Sequence, residues 1–223
     1  MTLSPRFRHA LRWSLGPAAI IWAVFLVEQV VGSFAFDYGL YPREIVGIRG
    51  IFTSPLLHGS WGHILSNTPP LIALSGLLFY FYPRTGLRIY FFIYLFTGLG
   101  VWLFGRSVYH IGASGVIYGL AAFLGLAGFF RRDFRAIIIS LIVVFLYGGM
   151  VAGLFPGQPG ISWESHLIGA LIGGIAAWVF RSQLEDHEIT ARRRKADKEA
   201  AWRNEERRPF FPPDVFERRK EER

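Results

Sequence analysis

The chain has 223 residues, 52% of them hydrophobic and 18% charged, and it contains no cysteine, which excludes disulfides, thiolate metal sites and cysteine nucleophiles. Its formal charge is +8, but residues 181–223 are nearly balanced, with 13 basic and 11 acidic groups; residues 1–180 hold only eleven arginines and five acidic residues. Most of those arginines fall in short stretches between apolar runs, where they read as topology determinants and not as a nucleic-acid surface. The apolar runs themselves approach the roughly 20 residues that cross about 30 Å of hydrocarbon, so residues 1–180 cannot form a water-soluble globule.

In chain order, a basic N-terminus of residues 1–16 precedes six candidate spans, at about 17–36, 63–82, 87–104, 113–130, 136–155 and 162–180. Irregular backbone would leave its peptide groups unpaired in lipid, so the spans are helices and the fold class is all-α, a six-helix membrane bundle over residues 17–182. The first run follows basic residues and ends near Ser33-Phe34-Ala35, which resembles a small-x-small cleavage site. Glu28 interrupts that run, however, and its length exceeds a signal core of about 7–15 residues, so it is expected to remain as a span. Residues 37–61 mix apolar, aromatic and charged side chains and are expected to lie in the membrane interface.

Placing the N-terminus in the cytoplasm gives that side Arg6, Arg8, Arg12, Arg84, Arg88, Arg131, Arg132 and Arg135, against Arg43, Arg49 and Arg106 on the other. An even number of spans then returns the charged tail, residues 183–223, to the same side. That tail has no sustained apolar face, runs through Arg192-Arg193-Arg194-Lys195 and carries prolines at 209–213; it reads as a solvated helix giving way to disordered chain, with contact to anionic lipid heads as the alternative.

Polar side chains at membrane depth are costly and mark functional positions. Span 2 opens with His63-Ile64-Leu65-Ser66-Asn67, span 4 with Gly112-Ala113-Ser114-Gly115, and span 6 with Trp163-Glu164-Ser165-His166. Even-numbered spans run in the same direction, so the three clusters fall in the outer leaflet at similar depth and can converge. A serine at a helix entrance and a histidine on a parallel helix are the parts of nucleophilic acyl transfer, with Ser114 attacking and His166 taking its proton. His63 and Asn67, four apart on one helical face, would donate to the oxyanion, helped by the backbone N–H groups at the head of span 4. Gly112 and Gly115 permit a tight entry, and Gly169 with Gly173 forms a Gly-x-x-x-Gly that would let span 6 approach span 4 closely. No acidic residue is placed to orient His166, so a dyad is expected. His58 and His110 are competing bases; His110 precedes Ser114 by four residues but belongs to the loop.

These residues together resemble the rhomboid family of intramembrane serine proteases. The likeness runs through His58-Gly59-Ser60-Trp61-Gly62-His63-Ile64-Leu65-Ser66-Asn67, Gly112-Ala113-Ser114-Gly115-Val116-Ile117-Tyr118 and His166-Leu167-Ile168-Gly169 to Gly173, over about residues 15–182. The resemblance implies Ser114 as nucleophile, His166 as base, His63, Asn67 and the Ser114 N–H as the oxyanion hole, and Tyr118 packed against the histidine. It implies a structural role for His58, a partly embedded first loop, no metal or cofactor, and single-span membrane proteins as substrates, cut near the outer face. It also implies a multi-pass protein of the cell membrane whose active site opens outward. Two departures stand out: Ile48, not tryptophan, precedes Arg49 in the first loop, and Thr68-Pro69-Pro70 follows Asn67, where the prolines can kink span 2. The alternative function is a catalytically silent relative that binds membrane clients, and a third reading is a transporter or channel using Glu28, His63 and Glu164. The polar groups cluster in one leaflet instead of lining a route across, which disfavours the third.

Overall fold

A computed structural model describes residues 3–32, 35–157, 160 and 162–206. Ser33, Phe34 and the prolines at 209–213 lie outside the described residues. The chain divides into two units after Gln183, and the second contains a helix, Asp186–Glu206. The first unit holds α1 (Pro5–Val31), α2 (Trp61–Phe81), α3 (Gly86–Phe104), α4 (Ser114–Arg131), α5 (Phe134–Tyr147) and α6 (Trp163–Val179).

This is a helical, multi-pass membrane protein. Among the described residues, five segments are long and apolar enough to cross a bilayer: α1 to α4 and the stretch Phe134–Leu154. Helix α6 is not among them; it has 17 residues, at the lower end of the length that crosses a bilayer.

Three expected boundaries change. The first span ends at Val31 and not near residue 36, with Gly32 following the helix at φ 100°. The first helix begins at Pro5, not near residue 17, because Ser4 accepts a hydrogen bond from the Phe7 N–H at 3.2 Å and proline occupies the first helical position. Its arginines extend the helix beyond the apolar run without interrupting it. The fifth span is not one α-helix to residue 155; α5 ends at Tyr147, and Gly148–Leu154 tightens into 3-10 helix. Gly148 and Gly149 supply the weak point, since glycine lowers α-helical stability. By contrast, α2 continues through Pro69 and Pro70. Each proline withdraws one i→i−4 bond, while the Thr68 hydroxyl donates to the Ile64 carbonyl at 2.7 Å and receives the Trp22 indole N–H at 3.0 Å.

The central element is α4, which packs against α2, α3, α5 and α6. Its buried positions include Val116, Ile117, Leu120, Phe123, Leu124 and Ala127 on one face and Gly115, Gly119 and Gly128 flanking it, so that more than half of the circumference is covered; α5 buries only Ala136, Ile139, Ser140 and Val143, a single stripe at three-to-four spacing. Helix α5 is therefore peripheral. Helices α4 and α6 touch backbone to backbone: a Cβ at Gly169 would overlap the Gly115 carbonyl, and one at Gly173 would overlap that of Gly119. Two Gly-x-x-x-Gly pairs thus face each other, the second being Gly115 and Gly119. At the other end of this pair, the Arg131 guanidinium donates to the Phe180 carbonyl at 3.1 Å and the Gln183 carbonyl at 2.7 Å, satisfying acceptors left open where α6 stops.

The connection between α1 and α2 is built from short turns, Ile45–Arg49, Gly50–Thr53 and Ser54–Leu56. It buries Leu40 and Ile51 against Val101, while Ile45, Val46, Ile48 and Phe52 are exposed, an apolar outer face suited to an interface. Arg49 donates to the Asp37 carbonyl and lies 4.8 Å over the Tyr38 ring.

Candidate active site

Ser114 is the first residue of α4. The loop delivering it turns at Gly112, whose φ of 107° favours glycine and whose N–H donates to the Ser54 carbonyl at 2.8 Å. The N–H groups of the first helical turn, that of Ser114 among them, have no carbonyl acceptor within the helix and sit at its positive end. His166 enters from the first turn of α6. The Gly169–Gly173 face described above holds this turn against α4.

The Ser114 Oγ lies 2.8 Å from His166 Nε2, and His166 Nδ1 lies 3.0 Å from the Gly153 carbonyl oxygen. A carbonyl only accepts, so Nδ1 carries the proton and the unprotonated Nε2 accepts from the serine hydroxyl. That is the tautomer a general base requires. The Tyr118 ring is stacked on the imidazole, with centroids 4.2 Å apart and planes 9° from parallel, and its hydroxyl donates to the Met150 carbonyl at 2.8 Å. The 3-10 turn that ends the fifth segment therefore holds both rings. Residue composition does not reveal a backbone carbonyl as an orienting group, and Gly153 was not among the expected site residues; the paired Gly148-Gly149 was the available sign that α-helix would end before it.

On the opposite side, His63 and Asn67 project from the first two turns of α2, and both face Gly112. A Cβ at 112 would overlap the His63 ring and stand 3.6 Å from Asn67 Nδ2. Asn67 is buried and its amide nitrogen lies 3.1 Å from His58 Nε2; His58 Nδ1 is 3.4 Å from the Leu56 carbonyl. The same reasoning assigns the His58 proton to Nδ1, so Nε2 accepts one Asn67 N–H and leaves the second for a ligand. His58 thus orients Asn67, a more specific role than the sequence suggests. His110 does not approach Ser114 through a hydrogen bond; its Nδ1 lies 2.5 Å from Ser162 Oγ and its Nε2 3.1 Å from the Arg106 carbonyl. Glu164 forms an ion pair with Arg106 at 2.5 Å, its side chain 8% exposed. Among the described residues, no three His, Cys, Asp or Glu side chains are grouped as a metal site would need.

His58 lies outside the spanning helices. Burial, with a further contribution from neighbouring His63, lowers its pKa to about 4 despite the Leu56 carbonyl. In the unfolded chain it titrates near 6.5, so the folded state binds fewer protons between these values. The His58 contribution to stability is complete above about pH 6.5 and is lost as the pH falls toward 4. Melting in detergent should accordingly fall more between pH 7 and pH 5 in the wild type than in His58→Gln; equal losses would contradict a buried neutral His58.

Chemically, the site combines a hydroxyl hydrogen-bonded to an oriented neutral imidazole, amide and imidazole nitrogens across a glycine-lined gap, and open N–H groups at a helix head. Such a set can activate an oxygen nucleophile and receive negative charge on an oxygen. The family model described as "Rhomboid domain" matches residues 47–183. The chain is also similar to an uncharacterized protein of Mycobacterium bovis and one of Mycobacterium tuberculosis, each 37% identical over 187 residues, covering 75% of this chain and 76% of theirs. An uncharacterized protein of Mycobacterium leprae is 33% identical over 185 residues, covering 76% of this chain and 73% of its own.

Proposed function

The chain belongs to the rhomboid family, and we propose that it is an intramembrane serine protease, hydrolysing peptide bonds in or near the spanning segments of other membrane proteins through a Ser114/His166 dyad. The observation that carries this reading is the 2.8 Å contact from Ser114 Oγ to a His166 Nε2 whose partner nitrogen is committed to the Gly153 carbonyl.

Ser114 Oγ attacks the scissile carbonyl carbon as its proton passes to His166 Nε2. The Gly153 carbonyl, accepting from Nδ1–H, stabilises the imidazolium that forms. The carbonyl oxygen becomes an oxyanion received by His63, Asn67 and the Ser114 N–H, while Gly112 leaves room for substrate backbone. Collapse breaks the C–N bond, and the leaving amine takes the proton from His166. The remaining acyl group is an ester on Ser114. Water attacks it and gives a proton to His166, which returns it to Ser114 Oγ as the carboxylic acid departs.

The six-span arrangement belongs to this proposal. So do cytoplasmic termini, a site opening to the outer face of the cell membrane, and transmembrane substrates; the arginine distribution supports the orientation. The test is reconstitution of purified protein in liposomes with single-span substrates, followed by mass spectrometry of the products. Cleavage near the outer end of the span is expected. Stable binding of the same substrates with no cleavage would favour the catalytically silent reading instead.

A further inference from the structure

The loop between α3 and α4 does more than deliver Ser114. Four residues before the serine, the His110 backbone exchanges two hydrogen bonds with Leu40, at 3.0 and 2.8 Å, which anchors it to the first loop. Arg43 adds a second tie, donating to the Gly105 carbonyl at 2.6 Å and to Ser107 Oγ at 2.9 Å. From this fixed base two side chains reach the first turn of α6. The His110 Nε2–H donates to the Arg106 carbonyl, so Nδ1 accepts from Ser162 Oγ, with Ser165 Oγ 3.4 Å away and the two hydroxyls 2.7 Å apart. The Arg106 guanidinium takes Glu164. Ser162, Glu164 and Ser165 sit four, two and one residues before His166.

Ser162 occupies the N-cap position of α6, yet its side chain does not cap the helix, and the first-turn bond from His166 N to the Ser162 carbonyl is long at 3.4 Å. The start of α6 is therefore gripped from outside instead of being closed by its own cap. A small rotation of that turn would carry the accepting nitrogen of the base, His166 Nε2, away from Ser114. Because one rigid loop fixes the nucleophile and holds the helix of the base, the two groups share a common reference.

We propose that His110 and Arg106 are positioning residues that set the register between Ser114 and His166 by clasping Ser162, Ser165 and Glu164; this rests on the assignment of Ser114 and His166 as the catalytic pair. Neither touches substrate or the reacting atoms. The acceptor at His110 Nδ1 is the element that matters, and asparagine can supply an acceptor near that point.

The test compares wild type, His110→Ala, His110→Asn and the double variant Ser162→Ala/Ser165→Ala in detergent. One readout is the rate of labelling by a fluorophosphonate, and the other is the ¹⁵N signal of the His166 ring in histidine-labelled protein. His110→Ala and the double serine variant should label about 10–100-fold more slowly, as displacement of a positioned group by an ångström or less produces. Both should shift the His166 signal, and His110→Asn should recover labelling to within about threefold of wild type. Should His110→Ala fail to fold, the serine variant decides, since it leaves the anchored histidine in place. Wild-type labelling rates with an unmoved His166 signal in the alanine variants would overturn the proposal, as would a His110→Asn protein as impaired as His110→Ala. If no protein labels but the His166 signal still moves and recovers as described, the positioning stands and the protease reading fails.

Discussion

Replacing Ser114 with alanine is expected to abolish cleavage of a reconstituted membrane substrate, and His166→Ala should do the same. Each loss should exceed about 10³-fold, because a hydroxyl without its base and a base without its nucleophile are equally unable to start acyl transfer. The paired variant should be no worse than either alone, since the two groups act as one unit; additive losses would indicate separate roles. Both substitutions leave in place the backbone contact of α4 with α6 at Gly115, Gly119, Gly169 and Gly173. Melting temperatures close to wild type are the required control. Retained cleavage in either folded variant would remove the dyad.

The second large effect is expected at Asn67. Its amide is held by His58 at 3.1 Å and faces the space beside Gly112. If it supplies one oxyanion donor, Asn67→Ala should reduce kcat by about 10²–10³ with little change in KM, because the oxyanion exists only after attack. His63→Ala should behave similarly. His58→Ala removes the orienting acceptor and a ring packed 4.8 Å from that of His63, so its effect on kcat should be smaller and should shrink in an Asn67→Ala background. A double-mutant cycle measures that coupling. A rise in KM with kcat unchanged for Asn67→Ala would instead make it a substrate-binding residue.

The parts of the fold legible from sequence were those written in side chains. Charge and glycine punctuate the apolar runs closely enough that α2, α3, α4 and α6 start within two residues of the expected positions. Apolarity misjudged α1, whose first turns carry Arg6, Arg8 and Arg12; Ser4-Pro5 was the better indicator, because capping and the fixed proline φ act regardless of hydropathy. Gly169 and Gly173 pointed to close packing, and their counterparts Gly115 and Gly119 were equally readable as a pair with the same spacing. In contrast, the Gly153 carbonyl that orients His166 has no compositional sign. His58 lay inside the matched motif, but its hold on Asn67 depends on a proton assignment that needs the Leu56 carbonyl in place. The clasp from His110 to Ser162 joins residues 52 positions apart. Only the folded chain brings those groups within reach.

The proposed dyad requires Ser114 to be an activated nucleophile, with His166 poised to take its proton. Reaction of the purified protein with a fluorophosphonate, followed by peptide mapping, tests it most directly. A single adduct on Ser114, absent from His166→Ala, is the predicted result; no adduct on the wild type, an adduct on another residue, or undiminished labelling without His166 would contradict it.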